Sequence, residues 1–300
     1  MKSRVVHIRK LVREAGVEAV IAFGGSTSIL TLWACRTMDV RVIISERNDP
    51  ARQKLPHLYE SLRKRLYGKA SVVTANTRGA LEAMSAYVSA EKLVYIPNPL
   101  GSFPEVPPTQ EQRKKLVLAV GRLHPQKGYD LLLEAWSLIV QHDGSWNLAI
   151  AGHGVLESVL KEQAKDLGIA SRVQWLGRVG DMDPHYKAAS IYVLPSRHEG
   201  MPNALMEAMS YGLPSVVTDA SPGPLDLVRN GEQALVVPAE SVDALAEGLS
   251  RLIRAEGGLR ARLGDSARQR VAGFRLEEVA AQWDQLIAST EKSQPQDSGS

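Results

Sequence analysis

A chain of 300 residues with 44% hydrophobic and 23% charged side chains has room for two globular domains, and no apolar run approaches the ~20 residues that span a bilayer. The single cysteine, Cys35, excludes an intrachain disulfide, fits a reducing cytosol and reads as a small buried hydrophobe. The net charge of +3 hides an imbalance: residues 1–105 carry 16 Lys/Arg against 9 Asp/Glu, the remainder 20 against 24. A basic first part points to an anionic partner such as phosphate or a lipid headgroup. With three phenylalanines and no interleaving of aromatic and basic residues, nucleic acid is disfavoured.

The start, "MKSRVVHIRKLVREAG", is basic and amphipathic but lacks the apolar core of a secretory signal. Short β-branched runs follow at 18–23, 41–45, 71–75 and 93–96, with helical patterns between them. In "LPHLYESLRKRLYGKA" (55–70), Leu58, Leu62 and Leu66 make one stripe beside Arg63, Lys64 and Arg65. That pattern fits a core-facing helix with a solvated basic face, or a helix lying on an anionic membrane surface. "GSFPEVPPTQEQRKK" (101–115) has three prolines and no apolar period, and reads as a linker.

The alternation restarts with strands expected at 116–120, 147–151, 172–176, 191–195, 214–218 and 234–238. Strands separated by helix-length segments imply parallel βαβ units, hence two doubly wound α/β domains. The division read from the sequence is a first domain at 1–105, a second at 106–288, and a polar, disordered tail at 289–300.

Open parallel sheets bind ligands at the carboxyl ends of their strands, so the loops after the second-half strands are where chemistry is expected. The first, "GRLHPQKGYD" (121–130), carries Arg122 and Lys127, two cations able to close on a diphosphate. A solvated basic loop is the plainer explanation of that loop alone. The next, "HEGMPNALMEAM" (198–209), sets Glu199 in a Gly-Met-Pro turn and Glu207 inside the following helix. Asn203 is the expected N-cap, leaving the N–H groups of Ala204 and Leu205 to attract an anion. Two carboxylates flanking an anion-binding helix end suit a ligand made of sugar, diphosphate and ribose. The plainer alternative is one surface glutamate and one favoured by the helix dipole. His124, His153 and His198 lie beside these loops and read as wall or surface residues. In "DMD" (181–183), Asp183 is expected to start a helix rather than ligate a metal. "SPGP" (221–224) reads as a turn that can present the Gly223 N–H.

The segments "GRLHPQKGYDLLLEAW", "IAGHGVLESVL", "VQWLGRV" and "SRHEGMPNALMEAMSYGLPSVVTD" resemble, in order and spacing, the second domain of the family-4 retaining glycosyltransferases of GT-B fold. The glutamate pair matches that family's E-x7-E motif. The resemblance implies two Rossmann-like domains facing a cleft and a nucleotide-diphosphate sugar donor, expected to be UDP-linked. By that resemblance Glu207 holds the ribose. Glu199 holds the transferred sugar, with the backbone of Gly200 and Met201. Arg122 and Lys127 hold the diphosphate, and the backbone of Arg178 and Val179 meets the base. Cation and helix-end stabilisation of the leaving group calls for no metal and no cofactor.

The first half departs from the pattern. "VIISERNDP" and "YIPNPLG" resemble late strands of the acceptor-side domain, but the histidine that many relatives carry after the strand at 41–45 is replaced by Glu46-Arg47-Asn48. These three are acceptor-side candidates, with loop capping as the alternative. Relatives also have strands before the equivalent of 18–23, so the resemblance marks the first domain, 1–105, as abbreviated, and without those strands that run is an exposed apolar sheet edge. The expectation is therefore either a fragment or a covered edge.

The function expected is transfer of a hexose or N-acetylhexosamine to a glycan or polyprenyl-diphosphate-linked acceptor, in the cytoplasm or on the inner membrane face. Two alternatives stay open: a catalytically inert donor-binding subunit, and an enzyme such as an epimerase acting on the sugar nucleotide itself.

Overall fold

The computed structural model describes residues 2–48, 50, 55–255 and 258–291. The chain divides into two units, one formed by residues up to Pro99 with the segment from Leu276, the other by Leu100–Arg275. The first unit runs α1 (Lys2–Ala15), β1 (Ala19–Phe23), α2 (Gly25–Cys35), β2 (Arg41–Glu46), α3 (His57–Leu66), β3 (Val72–Ala75), α4 (Arg78–Met84) and β4 (Leu93–Tyr95). The second runs β5 (Leu116–Val120), α5 (Tyr129–His142), β6 (Asn147–Ala151), α6 (Glu157–Asp166), β7 (Val173–Gly177), α7 (Asp183–Ala188) and β8 (Ile191–Leu194). It continues through α8 (Asn203–Ser210), β9 (Ser215–Thr218), α9 (Pro222–Leu227), β10 (Ala234–Val237), α10 (Val242–Ile253) and α11 (Leu259–Val271). The last helix, α12 (Leu276–Glu291), belongs to the first unit.

Among the described residues all strand pairs are parallel, and each of the ten strands lies where the β-branched runs predict. The second sheet has the order β10-β9-β8-β5-β6-β7, so the winding reverses between β5 and β8. Right-handed crossovers then place helices on both faces. On one face Val117, Leu148, Ile150 and Val193 pack with Leu132 and Trp136 of α5 and Leu249 of α10. On the other, Leu118, Tyr192 and Val217 pack with Leu205 and Met209 of α8 and with Tyr186.

The first sheet has the order β1-β2-β3-β4. Successive right-handed crossovers in one direction put α2, α3 and α4 on a single face, where Ile44 and Val73 meet Ile29 and Met84. The opposite face, Ile43, Val72 and Ile96, would be bare without α12, which covers it with Val279 and Leu286. Residues 276–288 therefore pack on the first unit, whereas the sequence reading placed them in the second domain. The helix also extends past the expected start of a tail at 289; residues 292–300 lie outside the described residues.

The proline-rich segment read as a linker is part of the second unit. Phe103 lies under the guanidinium groups of Arg268 and Arg275, each 4.2 Å from its ring centroid. Arg113 is buried and donates to the carbonyls of Tyr186 and Ala189 at 2.8 Å and of Tyr211 at 2.5 Å. Burial lowers its pKa to about 10. Three proline rings hid this docking because their contacts follow no helical or strand period. Arg113→Met should cost the second unit about 3 kcal/mol, since three buried carbonyls lose a charged donor. Urea unfolding of that unit checks it; a loss below about 0.5 kcal/mol, the scale of an ordinary surface substitution, would mean the carbonyls find other donors.

Helix α3 also differs from its expected stripe. Leu58 is exposed and Arg63 is buried, because Arg63 Nη2 finds Glu60 Oε1 and Oε2 at 2.8 and 2.7 Å and the Pro50 carbonyl at 2.9 Å. Lys64 and Arg65 remain exposed. Among the described residues no helix is long and apolar enough to cross a membrane.

Candidate functional site

The winding reversal opens the β5 and β8 loops toward each other, and the two expected loops meet there. Gly128 makes the approach possible: its φ is +66°, and a Cβ there would lie 2.1 Å from the Pro195 carbonyl oxygen. Arg197 latches the loops together. Its N–H donates to Gln126 O at 2.7 Å, and its guanidinium forks onto Asp130 Oδ1 and Oδ2 at 2.8 and 2.7 Å, holding that carboxyl below its usual range.

Glu199 sits at the centre, only 8% exposed. Its Oε1 accepts from Lys127 Nζ at 2.6 Å and from Ser196 Oγ at 2.6 Å. Its backbone is gripped as well: Glu199 N–H donates to Ser221 Oγ at 2.8 Å, and that hydroxyl donates to Glu199 O at 2.9 Å. Both bonds to the carboxylate fall on one oxygen, leaving Oε2 as an acceptor with no protein partner among the described residues. The Lys127 stem runs against Gly121, where a Cβ would meet it at 3.1 Å.

Glu207 lies one turn into α8, and its Oε2 accepts from Tyr186 Oη at 2.7 Å. Desolvation raises its pKa, a shift that the Tyr186 bond partly offsets. Tyr186 is itself stacked on Tyr211, with centroids 5.3 Å apart. The hydroxyl of fully buried Tyr192 on β8 is pushed up by burial, by Tyr129 and by the charges of both Glu199 and Glu207.

The remaining expected residues fall at the same carboxyl edge without direct contact to the carboxylates. Arg122 is exposed at the end of β5, and its guanidinium pairs with no carboxylate among the described residues. Arg178 and Val179 follow β7, two strands beyond β5. Gly200 and buried Met201 complete the turn before α8.

Asn203 is not the N-cap. Pro202 holds that position, and Asn203 is the first helical residue. The Leu205 and Met206 N–H groups turn back to Pro202 O at 3.1 and 3.2 Å, so Leu205 is not a free donor; Ala204 is left with an unbonded N–H among the described residues. Asp183 begins α7, but the bond at that start is accepted by Asp181 Oδ1 from the Asp183 N–H at 3.1 Å. The "SPGP" turn is the start of α9, where Gly223 abuts the Gly200 carbonyl.

On the first unit, Glu46 is fully buried. It accepts from Tyr67 Oη at 3.0 Å and from the N–H groups of Arg47 and Asn48 at 3.1 and 3.4 Å, the geometry of a loop organiser. Burial raises its pKa against those bonds. Arg47 is half-buried and Asn48 exposed.

Sequence reasoning missed Ser196, Ser221, Tyr186 and the Arg197–Asp130 latch. Ser196 could have been found, since it precedes Glu199 by three residues at a strand end. Ser221 and Tyr186 reach the glutamates from other elements, and Arg197 and Asp130, though each sits in one of the quoted segments, pair across a separation that no local pattern connects.

Two parallel α/β sheets, the second with its polar loops gathered at a winding reversal, define a GT-B protein. Residues 105–270 match the family Glycosyl transferases group 1, and the chain belongs to that family of sugar-transferring enzymes. It is similar to an uncharacterized glycosyltransferase of Haemophilus influenzae, 28% identical over 93% of this chain and 79% of the other. An undecaprenol-linked glycan alpha-1,4-N-acetyl-D-galactosaminyltransferase of Campylobacter jejuni is 27% identical over 95% of this chain and 79% of its own length. Among solved structures, Anabaena HepE in complex with UDP superposes with a TM-score of 0.85 at 19% identity, covering 95% of this chain and 82% of HepE. S. aureus TarM, of which this chain spans 58%, gives 0.82 at 18% identity.

Proposed function

We propose that this glycosyltransferase moves a hexose or N-acetylhexosamine, with retention, from a UDP-linked donor to a glycan or polyprenyl-diphosphate-linked acceptor at the cytoplasmic membrane face. The observation that carries the reading is the Lys127–Ser196–Glu199 cluster at the β5/β8 reversal, a cation beside a carboxylate whose second oxygen has no protein partner among the described residues. Lys127 and Arg122 take the diphosphate, aided by the first turn of α8. Glu199 Oε2 accepts a hydroxyl of the transferred sugar, Glu207 accepts the ribose hydroxyls, and the loop at Arg178 and Val179 meets the base.

In the reaction the bond from the anomeric carbon to the phosphate oxygen breaks, and the acceptor oxygen bonds to that carbon on the same face. The acceptor proton passes to the departing phosphate oxygen. Positive charge on the sugar and negative charge on the phosphate grow together, and the fixed cations stabilise the latter. This assignment gives the leaving-group role to protein groups and calls for no metal. The basic first half, with Lys64 and Arg65 exposed, supports an anionic lipid surface as the place where such an acceptor is met.

Calorimetric titration of UDP, ADP and GDP into the chain and into Glu207→Ala tests the donor site. UDP should bind in preference to the other two, and the substitution should weaken it about 10-fold or more, the effect of losing a charged hydrogen bond. Because desolvation raises the Glu207 pKa, the carboxylate is protonated at higher pH than an ordinary glutamate. The difference in UDP affinity between wild type and Glu207→Gln should therefore close as pH falls, beginning above the usual carboxylate range of about 4.3. Equal affinity for the three nucleotides, or indifference to Glu207→Ala, would overturn the assignment.

A further inference from the structure

The carboxyl edge of the four-stranded sheet carries a side-chain cluster that donor binding does not use. Phe23, Ser45 and Thr74 are paired in register across β1, β2 and β3, one row beyond Ile21, Ile43 and Val72, and so point to the face that α12 covers. The lower row is apolar and packs on α12. The upper row changes chemistry: Ser45 and Thr74 are buried, yet neither hydroxyl has a hydrogen-bond partner among the described residues, and the Oδ1 of buried Asn76 lacks one too.

Around this row stand Arg47, after β2, and Trp283 of α12. The Arg47 guanidinium carbon lies 5.2 Å from the Phe23 centroid and 5.9 Å from that of Trp283, and the two rings are 6.0 Å apart. Arg47 Nη1 donates to Asn98 Oδ1 at 2.6 Å, and the same oxygen accepts from Asn76 Nδ2 at 3.2 Å. The guanidinium plane is thereby fixed, with most of its five N–H donors uncommitted by these contacts. If the cluster served only to anchor α12, its aromatic rim would be covered. Phe23 is instead 53% exposed.

A flat exposed ring beside a fixed cationic fork and amide side chains matches a pyranose, which has an apolar C–H face and a rim of hydroxyls. We propose that Phe23, Arg47 and Trp283 form a pyranose-binding platform that takes one sugar ring of the acceptor glycan. The inference rests on the reading of the chain as a transferase with a glycan acceptor. It divides the three consecutive candidates: Arg47 contacts the acceptor, while Glu46 organises the loop beneath it.

Saturation-transfer NMR on the whole chain, without nucleotide, tests the platform. The probes are the methyl pyranosides of glucose, galactose, N-acetylglucosamine and N-acetylgalactosamine. At least one should receive saturation on its ring C–H protons. Phe23→Ala, and Phe23→Leu, which keeps bulk but loses the flat face, should each reduce that signal about fivefold, the order of one aromatic contact. Arg47→Ala should do the same, whereas Glu199→Ala should preserve it. No signal from any glycoside, a signal indifferent to the Phe23 and Arg47 changes, or displacement of the signal by inorganic pyrophosphate as the preferred ligand would overturn the proposal. UDP titration of the same samples separates the two ideas. UDP binding without glycoside contact sinks the platform alone, and glycoside contact without UDP binding sinks the donor-site reading alone.

Discussion

Glu199→Ala should slow sugar transfer about 100-fold or more while leaving a folded chain that still binds UDP, because the lost contact is to the reacting sugar rather than to the nucleotide. Glu199 Oε1 is committed to Lys127 and Ser196, each at 2.6 Å, so the carboxylate cannot turn away from the loop, and Oε2 is the oxygen presented. Removing the carboxylate also frees Lys127, whose side chain is 18% exposed and can be rehydrated in part. The fold should therefore lose less than it would from a fully buried orphan charge. Initial rates with a panel of UDP-sugars, beside a thermal melt of the variant, make the measurement. Ser196→Ala should have a smaller effect in the same direction, since Lys127 still holds Oε1. A Glu199→Ala chain that transfers at the wild-type rate would remove Glu199 from the site and favour a scaffold role for the Lys127 pair.

The parts of the molecule legible in the sequence are those written in local pattern. Each strand announces itself as a short β-branched run because parallel strands are buried on both faces, and residues 116–120 and 191–194 are apolar almost throughout. Lys127 and Glu199 were visible because the carboxyl ends of such strands are where ligands collect, and the structure brings those two into contact. Helix α12 shows the limit. Its 3.6-residue period reveals an apolar face but not the sheet that face covers, and chain order suggested the wrong one. Arg113 and Arg63 show another limit, since arginine in a polar stretch reads as solvated until remote carbonyls or a carboxylate are seen to enclose it. The misplaced cap at Asn203 has a local cause. Pro202 fixes its own φ near the helical value, and its carbonyl already accepts the first turn's N–H groups, which shifts the helix start by one residue.

Gly223→Ala should be among the most damaging of the one-methyl substitutions near the site. An added Cβ would stand 1.8 Å from the Gly200 carbonyl oxygen and 2.6 Å from its carbon, both backbone atoms that no rotamer change can move aside. Overpacking of a close-packed interior costs about 1–3 kcal/mol, and a clash with backbone belongs at the upper end. Relief requires α9 to withdraw from the 199–201 turn. Ser221, two residues before Gly223, would then be drawn off the Glu199 N–H and carbonyl that it bridges at 2.8 and 2.9 Å. The variant should therefore lose stability in the second unit and lose transfer as Glu199→Ala does, through displacement rather than deletion of the carboxylate. Gly101→Ala is the matched control, because a Cβ there meets nothing within 4 Å, and its stability should change by less than about 0.5 kcal/mol. Urea unfolding and transfer rates on the three chains distinguish the cases. If Gly223→Ala unfolds with the wild type and transfers at its rate, α9 and the glutamate turn stand further apart in solution, and Ser221 is not what holds Glu199 in place.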